Sequence, residues 1–221
     1  MRTLLFAVLV ILIAVPAFAS DDLKTEDDKT LYAIGLVMAR QVSVLNPTPD
    51  ELETIIRGLR DGNSGKKTLV DLENYKGKIE HFASERRDAR GARLAAQAKS
   101  YLDKAAQEKG AVKTTSGLVY IPTQEGTGAS PVAADKVKVN YRGTLIDGKE
   151  FDSSYLLGHP VEFELNKVIK CWTEGVQMMK AGGKAKLVCP PELAYGERGN
   201  GLIPPNSTLV FDIELLGVEK K

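Results

Sequence analysis

The chain has 221 residues, of which 43% are hydrophobic and 27% are charged, a composition typical of one or two globular domains. Its 30 Lys and Arg balance 29 Asp and Glu, and the formal net charge of +1 gives no support to polybasic nucleic-acid binding. Only two His and two Cys are present, too few to favour a zinc cluster or a His-centred catalytic triad. The same composition argues against a disordered or multi-span membrane protein.

The first 19 residues have the layout of a secretory signal peptide. Arg2 supplies a positive charge, residues 4–15 form an unbroken apolar run, and residues 17–19 form a small-x-small cleavage site. The run is shorter than the roughly 20 residues of a membrane-spanning helix, which disfavours the alternative of an uncleaved anchor. We therefore expect cleavage after Ala19, a mature chain from Ser20 without a membrane span, and an oxidising destination.

Residues 20–110 have the pattern of helices. A capping box is indicated at Thr25 with Asp28 and again at Thr48 with Glu51. Pro49 suits the first helical position of the second helix, because that position needs no backbone N–H. The sequence therefore predicts two short helices that begin just after these two threonines.

A third helix of some forty residues is expected from about Thr68 to Lys109, with Gly110 ending it. Its first half carries apolar residues, whereas small and charged residues dominate 89–106, a pattern typical of a solvated stalk. The three helices have apolar faces, but they contain too few apolar residues to form a hydrophobic core of their own. We therefore expect a homodimer through residues 22–85, with a small monomeric helical cap as the alternative.

After Thr115 the chain changes to short alternating runs of apolar and polar residues, which indicate strands. Strands are predicted at residues 117–121, 137–145, 161–165, 184–189 and 207–218. One short helix is expected over residues 168–179, and Asp147-Gly148 marks a turn. Many short strands with one helix predict an α+β or partly open β-barrel domain.

Five motifs in this second half resemble the FKBP-type peptidyl-prolyl cis–trans isomerase family. In chain order they are VNYRGTL at 139–145, GKEFDSS at 148–154, VIKCWTEG at 168–175, LAYG at 193–196 and IPPNSTLVFDIEL at 203–215. Each is weak alone, but their shared order and spacing are specific. The resemblance implies an antiparallel half-barrel sheet wrapped on one short helix. The helical front half and its long connecting helix resemble the dimerisation region of secreted bacterial members, the macrophage infectivity potentiator type.

The resemblance also implies a catalytic pocket for an X–Pro peptide bond, with Trp172 as its floor. The side chains implied as walls are those of Tyr141, Phe151, Val168, Ile169 and Phe211, with Tyr195 and Ile203 at the rim. The Tyr195 hydroxyl and the Ile169 backbone N–H would donate to substrate carbonyls. Asp152 would act by electrostatics and hydrogen bonding rather than by proton transfer. Taken singly, each residue is as well explained as a core or turn residue, and only the joint pattern favours function.

The chain departs from the family's pattern around this pocket. Val161 stands where many members have an aromatic residue, and Leu202 replaces a common Ile. Leu157 lies where many members carry an Arg that pairs with the pocket acid. Without that Arg, Asp152 is expected to be held by Tyr141 alone or to be more mobile.

Cys171 and Cys189 are expected to pair, because pairing is the default for cysteines in an exported protein; free buried thiols are the alternative. His81 falls on the long helix and His159 in a loop before a proline, so no metal site is predicted.

The preferred function is therefore a cofactor-free peptidyl-prolyl cis–trans isomerase that assists folding of exported proteins in the periplasm or outer cell envelope. The expected partners are proline-containing unfolded polypeptides, a second copy of the chain and, from the resemblance, macrolide inhibitors such as FK506 or rapamycin, but no nucleic acid. The alternative is a non-catalytic dimeric holding chaperone, since tethering two weak sites raises avidity. The domain plan is a signal peptide at 1–19, a helical dimerisation region at 20–110 and an isomerase domain at 111–221.

Overall fold

The computed structural model describes residues 23–65 and 67–221, so the predicted signal peptide and its cleavage site lie outside the described residues. By its internal contacts the chain divides into two units, residues 1–39 and Arg40–Lys221. Within the described ranges, no helix is both long enough and apolar enough to cross a membrane.

The α-helices of the described ranges are α1 (Glu26–Val42), α2 (Pro49–Asn63), α3 (Lys76–Ala105), α4 (Ser154–Leu157) and α5 (Lys170–Gln177). The strands are β1 (Val112–Lys113), β2 (Val119–Gln124), β3 (Lys136–Leu145), β4 (Glu150–Ser153), β5 (Val161–Glu164), β6 (Lys184–Cys189) and β7 (Leu209–Glu219). The four-residue α4 is not predicted from the sequence, because a single turn is too short to show helical periodicity.

Both predicted capping boxes are present. Thr25 and Asp28 each accept a hydrogen bond from the other's backbone N–H, at 3.0 Å in both directions. Thr48 and Glu51 do the same ahead of α2, whose first residue is Pro49. Each cap satisfies backbone N–H groups that have no partner inside the helix, which explains why the two helices begin at the predicted positions. Neither α1 nor α2 contains a buried residue.

The third helix is shorter at both ends than the sequence pattern predicts. The Thr68 hydroxyl donates to the Val70 carbonyl, and an Asp71 carboxylate oxygen accepts from the Glu73 N–H at 3.1 Å. These local bonds hold residues 68–72 out of the helix, so that a short 3-10 turn leads into α3 at Lys76. At the other end, α3 stops at Ala105, ahead of the glycine that was expected to end it.

The sheet is entirely antiparallel, with the strand order β1-β2-β6-β7-β3-β4 and with β5 also paired to β3. Its longest pairing joins β3 to β7, from Lys136 opposite Glu219 to Leu145 opposite Leu209, with one shift of register between Lys138 and Val139. The predicted class, a helical region followed by an antiparallel sheet wrapped on a short helix, is confirmed. The strand predicted at 184–189 coincides with β6.

Alternation along the central strands gives the sheet two apolar faces. Leu187 and Phe211 belong to the main core, which includes Trp172 of α5. Their neighbours Val188 and Val210 belong to a second cluster on the opposite face. Successive strand residues point to opposite sides of a sheet, so both sides of this one need covering.

The second half of α3 covers the second face, and its expected role as a solvated stalk is therefore wrong. Tyr101, Leu102 and Ala105 belong to the second cluster, and Leu94 is only 1% exposed in the main core. At Gly91 an added Cβ would lie 2.9 Å from the Pro205 carbonyl oxygen. The sequence pattern misses this packing because small side chains look polar on average, yet they let a helix backbone approach its neighbour closely.

One ion pair with a buried arginine also joins this part of α3 to the sheet. The Arg90 guanidinium, almost fully buried, donates from Nη2 to both carboxylate oxygens of Asp147, at 2.8 and 3.0 Å. Asp147 occupies the predicted turn between β3 and β4. Removing the Asp147 carboxylate would leave the buried charge of Arg90 unpaired, which makes the contact a specific anchor for the helix.

Leu94→Ala should lower the free energy of unfolding by about 2–5 kcal/mol, because it empties a filled site in the main core. The measurement is urea unfolding of the protein followed by tryptophan fluorescence. Gln97→Ala, an exposed position on the same helix, is the matched control and should change stability by less than about 0.5 kcal/mol. Equal effects of the two substitutions would mean that α3 does not pack on the sheet.

Candidate active site

A concave site lies between α5 and the sheet. It encloses about 470 Å³. Its lining residues are Tyr141, Phe151, Asp152, Phe163, Lys167, Val168, Ile169, Trp172, Tyr195 and Phe211. The lining is mostly aromatic and aliphatic with a few polar groups, which is typical of a site that binds a small apolar group in a fixed orientation.

Helix α5 places the floor of this cavity. Its buried residues Cys171, Trp172, Gly175 and Val176 follow helical spacing and form the face that meets the sheet. Gly175 permits the close approach, because an added Cβ would lie 2.7 Å from the Leu187 side chain on β6. The indole of Trp172 is thereby held at 4% exposure beneath the cavity.

Aromatic side chains from the strands stand edge-to-face around the indole. The ring centroids of Tyr141, Phe163 and Phe211 lie 5.1, 5.6 and 5.4 Å from that of Trp172, at interplanar angles near 85°. Phe151 extends the group through Phe211 at 5.6 Å. Each such pair contributes about 0.5–1.5 kcal/mol beyond area burial, so the walls of the cavity are rigid.

A glycine in β3 makes room for one of these walls. At Gly143 an added Cβ would lie 2.7 Å from two ring atoms of Phe151. Any larger residue there would push the phenyl ring out of its position over the strand. This glycine lies in the motif at 139–145 and is required by packing rather than by backbone conformation.

The acid of the site is fixed by two donors. The Tyr141 hydroxyl donates to Asp152 Oδ2 at 2.6 Å, and the Ser153 backbone N–H donates to Asp152 Oδ1 at 2.9 Å. Asp152 is therefore held by Tyr141 as expected, with a backbone bond added. Burial, followed by the hydrogen bond to Asp152, raises the pKa of Tyr141 well above its ordinary value. Tyr141 thus stays a neutral donor, already committed to the carboxylate.

Two other donors of the site are unpaired within the described residues. The Ile169 backbone N–H precedes the first turn of α5, where N–H groups have no partner inside the helix. The Tyr195 hydroxyl likewise has no hydrogen-bond partner in the described ranges. Both belong to the cavity lining, so both can receive an acceptor oxygen from a bound molecule.

The indole N–H of Trp172 is a third unpaired group. Its Nε1 is buried and has no partner among the described residues. Unpaired buried donors are rare in folded proteins, and those that persist often mark functional sites. The floor of this cavity is therefore more costly in free energy than an all-hydrocarbon surface would be.

The structure brings together all the residues predicted for the site except Ile203. That side chain is 5% exposed and belongs to the main core, while its backbone forms a two-way bridge with Asn200 at 2.9 Å in each direction. It is not among the lining residues of the cavity, and its backbone closes the loop at 200–203 instead. A sequence motif cannot separate these two placements, because both are apolar.

Two lining residues, and one residue outside the lining that contacts it, were not predicted. Phe163 lies among the walls, and its position in an alternating strand was the available signal. Lys167 lies at the edge, where its Nζ bonds Glu164 at 2.8 Å. Arg40, the first residue of the second unit, donates from Nη2 to the Phe151 carbonyl oxygen at 2.8 Å. No local sequence pattern indicates this contact, because the two residues are 111 positions apart in the chain.

Cys171 and Cys189 form a disulfide with a Cα–Cα distance of 5.7 Å, which confirms the predicted pairing and excludes free thiols. Both cysteines are fully buried. The bond ties α5 to β6 beside Trp172. It therefore constrains the element that carries the cavity floor.

Comparisons with known proteins show which proteins this chain is similar to. Residues 128–216 match the model of the FKBP-type peptidyl-prolyl cis-trans isomerase family, and residues 27–121 match that of the domain amino terminal to FKBP-type peptidyl-prolyl isomerase. The chain is 42% identical over 221 residues to the FKBP-type peptidyl-prolyl cis-trans isomerase FkpA of Escherichia coli K12, covering 93% of this chain and 82% of that protein. It is 43% identical over 218 residues to a probable FKBP-type isomerase of Haemophilus influenzae, covering 92% and 90%.

Solved structures give the same relationship. The crystal structure of FkpA from Escherichia coli matches with a TM-score of 0.59 at 42% identity, covering 89% of this chain and 98% of that chain. A peptidyl-prolyl cis-trans isomerase from Pseudomonas syringae matches with a TM-score of 0.54 at 38% identity, covering 58% and 95%.

Removal of the disulfide by the double substitution Cys171→Ala and Cys189→Ala should lower the free energy of unfolding by about 3 kcal/mol. This is the loop-closure value for a separation of 18 residues. Thermal unfolding with and without a thiol reductant measures the effect. The reductant should destabilise the natural protein and leave the double variant unchanged. A natural protein indifferent to complete reduction would contradict the prediction.

Proposed function

The chain belongs to the FKBP-type peptidyl-prolyl cis–trans isomerase family and is an isomerase of that type, and from this premise we propose how its pocket acts and on what. The observation that supports the mechanism is one aromatic cavity with two unpaired donors at its edge. The proline ring of the substrate occupies the cavity above Trp172. The carbonyl oxygens flanking that proline accept from the Tyr195 hydroxyl and the Ile169 N–H.

The reaction is a rotation, and no covalent bond forms or breaks. Its barrier of about 18–20 kcal/mol arises because rotation interrupts amide resonance. The planar amide is the more charge-separated form, so a site that excludes water disfavours it relative to the twisted form. The apolar walls supply that exclusion. The two donors hold the peptide on one side of the bond while the other side turns.

Asp152 acts by its charge and by holding Tyr141, because rotation requires no proton transfer. Its two carboxylate oxygens are already bonded to Tyr141 and to the Ser153 N–H. The carboxylate therefore sets the position of the Tyr141 ring, which is part of the aromatic wall around Trp172. Its negative charge also lies at the cavity lining, where its field acts on an amide that turns between apolar walls and is screened less than in bulk water.

The protein acts, we further propose, as a homodimer through its N-terminal helices. Large apolar side chains of α1 are exposed and uncovered in the described chain: Leu31, Ile34, Leu36, Val37 and Met38. Apolar faces of this size are typical of surfaces that bind another protein. In a symmetric dimer, the apolar face of each copy covers that of the other, so both faces are buried at once.

The proposed location is the periplasm or the outer cell envelope. The signal-peptide pattern of residues 1–19 supports export. The buried disulfide supports an oxidising compartment, because such bonds are rare in the reducing cytosol. Partly folded exported chains that contain X–Pro bonds are then the substrates.

Tyr195→Phe should lower kcat/KM for a proline-containing tetrapeptide by about threefold to tenfold, the value of one lost hydrogen bond. Asp152→Ala and Trp172→Leu should also lower it, because they disturb the wall and the floor. Isomerisation is followed by a protease-coupled assay, and FK506 should compete. Tyr101→Phe, which removes a hydroxyl on α3 outside the cavity, is the control. Unchanged rates in all three pocket variants would contradict the proposed roles.

A chain of residues 86–221 should keep tetrapeptide isomerisation and lose dimerisation. It omits α1, α2 and the exposed start of α3, but it retains Arg90 and Leu94, which pair with and pack on the isomerase domain. Sedimentation and suppression of aggregation of an unfolded protein are the measurements. A cut at 110 is a poorer test, since it would remove both contacts. A shortened chain that remains dimeric would contradict the proposed interface.

A further inference from the structure

The turn α4 carries three consecutive large apolar side chains in solvent. Tyr155, Leu156 and Leu157 are exposed at 62, 56 and 57%. The other exposed large apolar residues of 111–221 are separated along the chain: Val112, Val132, Met178 and Leu216. Single exposed apolar residues are normal, whereas a contiguous group usually marks a binding surface. We name these three residues the apolar turn.

The apolar turn is a helical turn with a hydrogen-bonded cap at each end. The Ser153 hydroxyl caps it by accepting from the Tyr155 N–H, and Gly158 ends it with a φ of +77°. Successive helical residues point about 100° apart. One side chain of the four therefore faces the protein, that of the fully buried Ser154, and the other three face outward.

The buried side chain of Ser154 links the apolar turn to β3, the strand that carries Tyr141 of the cavity wall. Its hydroxyl oxygen accepts from the Tyr141 N–H at 3.0 Å. Tyr141 in turn holds Asp152. The apolar turn therefore lies outside the cavity lining but is linked to it, both along the chain from β4 and through this hydrogen bond.

The distance between the cavity and the apolar turn limits which part of a bound chain can contact the turn. Consecutive Cα atoms are 3.8 Å apart, so the Tyr155 Cα lies at most about 11 Å from the Asp152 Cα. An extended polypeptide advances about 3.3–3.6 Å per residue. A chain with its proline in the cavity thus reaches the apolar turn about three to five residues away from that proline. A tetrapeptide is too short to reach it.

We propose that the apolar turn is a second contact site for the substrate, which selects unfolded chains with large apolar side chains about three to five residues from the proline. The inference rests on the isomerase function of the adjacent cavity. Unfolded chains expose such side chains and folded chains bury them. The site would therefore favour unfolded segments over proline loops of folded proteins.

The test uses two twelve-residue peptides with the same central Ala-Pro. One carries Leu at the third to fifth positions on each side of the proline, and the other carries Ser there. The natural protein should show a kcat/KM about tenfold higher for the Leu peptide, the factor given by burial of some 60 Å² of apolar surface. The combined change Tyr155→Ser, Leu156→Ser and Leu157→Ser should abolish that preference and leave tetrapeptide turnover unchanged.

Val132→Ser, at an exposed apolar site away from the cavity lining, is the matched control and should keep the full preference. Leu156→Ser alone should reduce the preference partly, and it decides the question if the triple variant loses tetrapeptide turnover through misfolding. Equal rates on both peptides in the natural protein, or a preference retained in the triple variant, would overturn the proposal. A retained preference with a changed sedimentation coefficient would assign the turn to contact between copies instead. Absence of tetrapeptide turnover in the natural protein would count against the cavity rather than the turn.

Discussion

Close packing of α5 against the sheet is the constraint on which the site depends. A helix that carries a tryptophan can lie beneath a ring of strand aromatics only if its own backbone comes near the sheet. Gly175 permits that approach to Leu187, and the Cys171–Cys189 bond fixes it. Once the helix is there, the indole meets Tyr141, Phe163 and Phe211 edge-to-face, and the cavity follows from the spaces between the rings.

The opposite face of the same sheet explains why the connecting helix is part of the catalytic domain. A central sheet with apolar residues on both faces must be buried by other elements on each face, and α5 buries only one of them. The second half of α3 buries the other through Tyr101, Leu102 and Ala105, with the buried Arg90 anchored to Asp147. This packing couples the helical region to the isomerase domain mechanically, since α3 cannot shift without exposing the second cluster.

The reaction depends more on the environment that the site provides for the X–Pro bond than on reactive groups. Rotation about an X–Pro bond forms no new bond, so the useful features are a dry cavity, two donors and a fixed carboxylate. The raised pKa of Tyr141 keeps its hydroxyl protonated and bound to Asp152. Beyond the cavity, an exposed apolar surface on a capped turn gives a longer substrate somewhere to bind without disturbing the catalytic geometry.

The sequence alone determined the capping boxes, because these are encoded locally. The family resemblance in its motif order predicted the antiparallel sheet and most of the residues around the cavity, and the disulfide pairing was favoured over free thiols. Only the tertiary structure decided that Ile203 belongs to the core, that Phe163 completes the walls, and that residues 89–105 of α3 pack on the sheet. Apolar residues look alike in a motif whether they line a cavity or support it. An alanine-rich helix looks solvated until its partner surface is known, because burial depends on what the rest of the chain brings to that face.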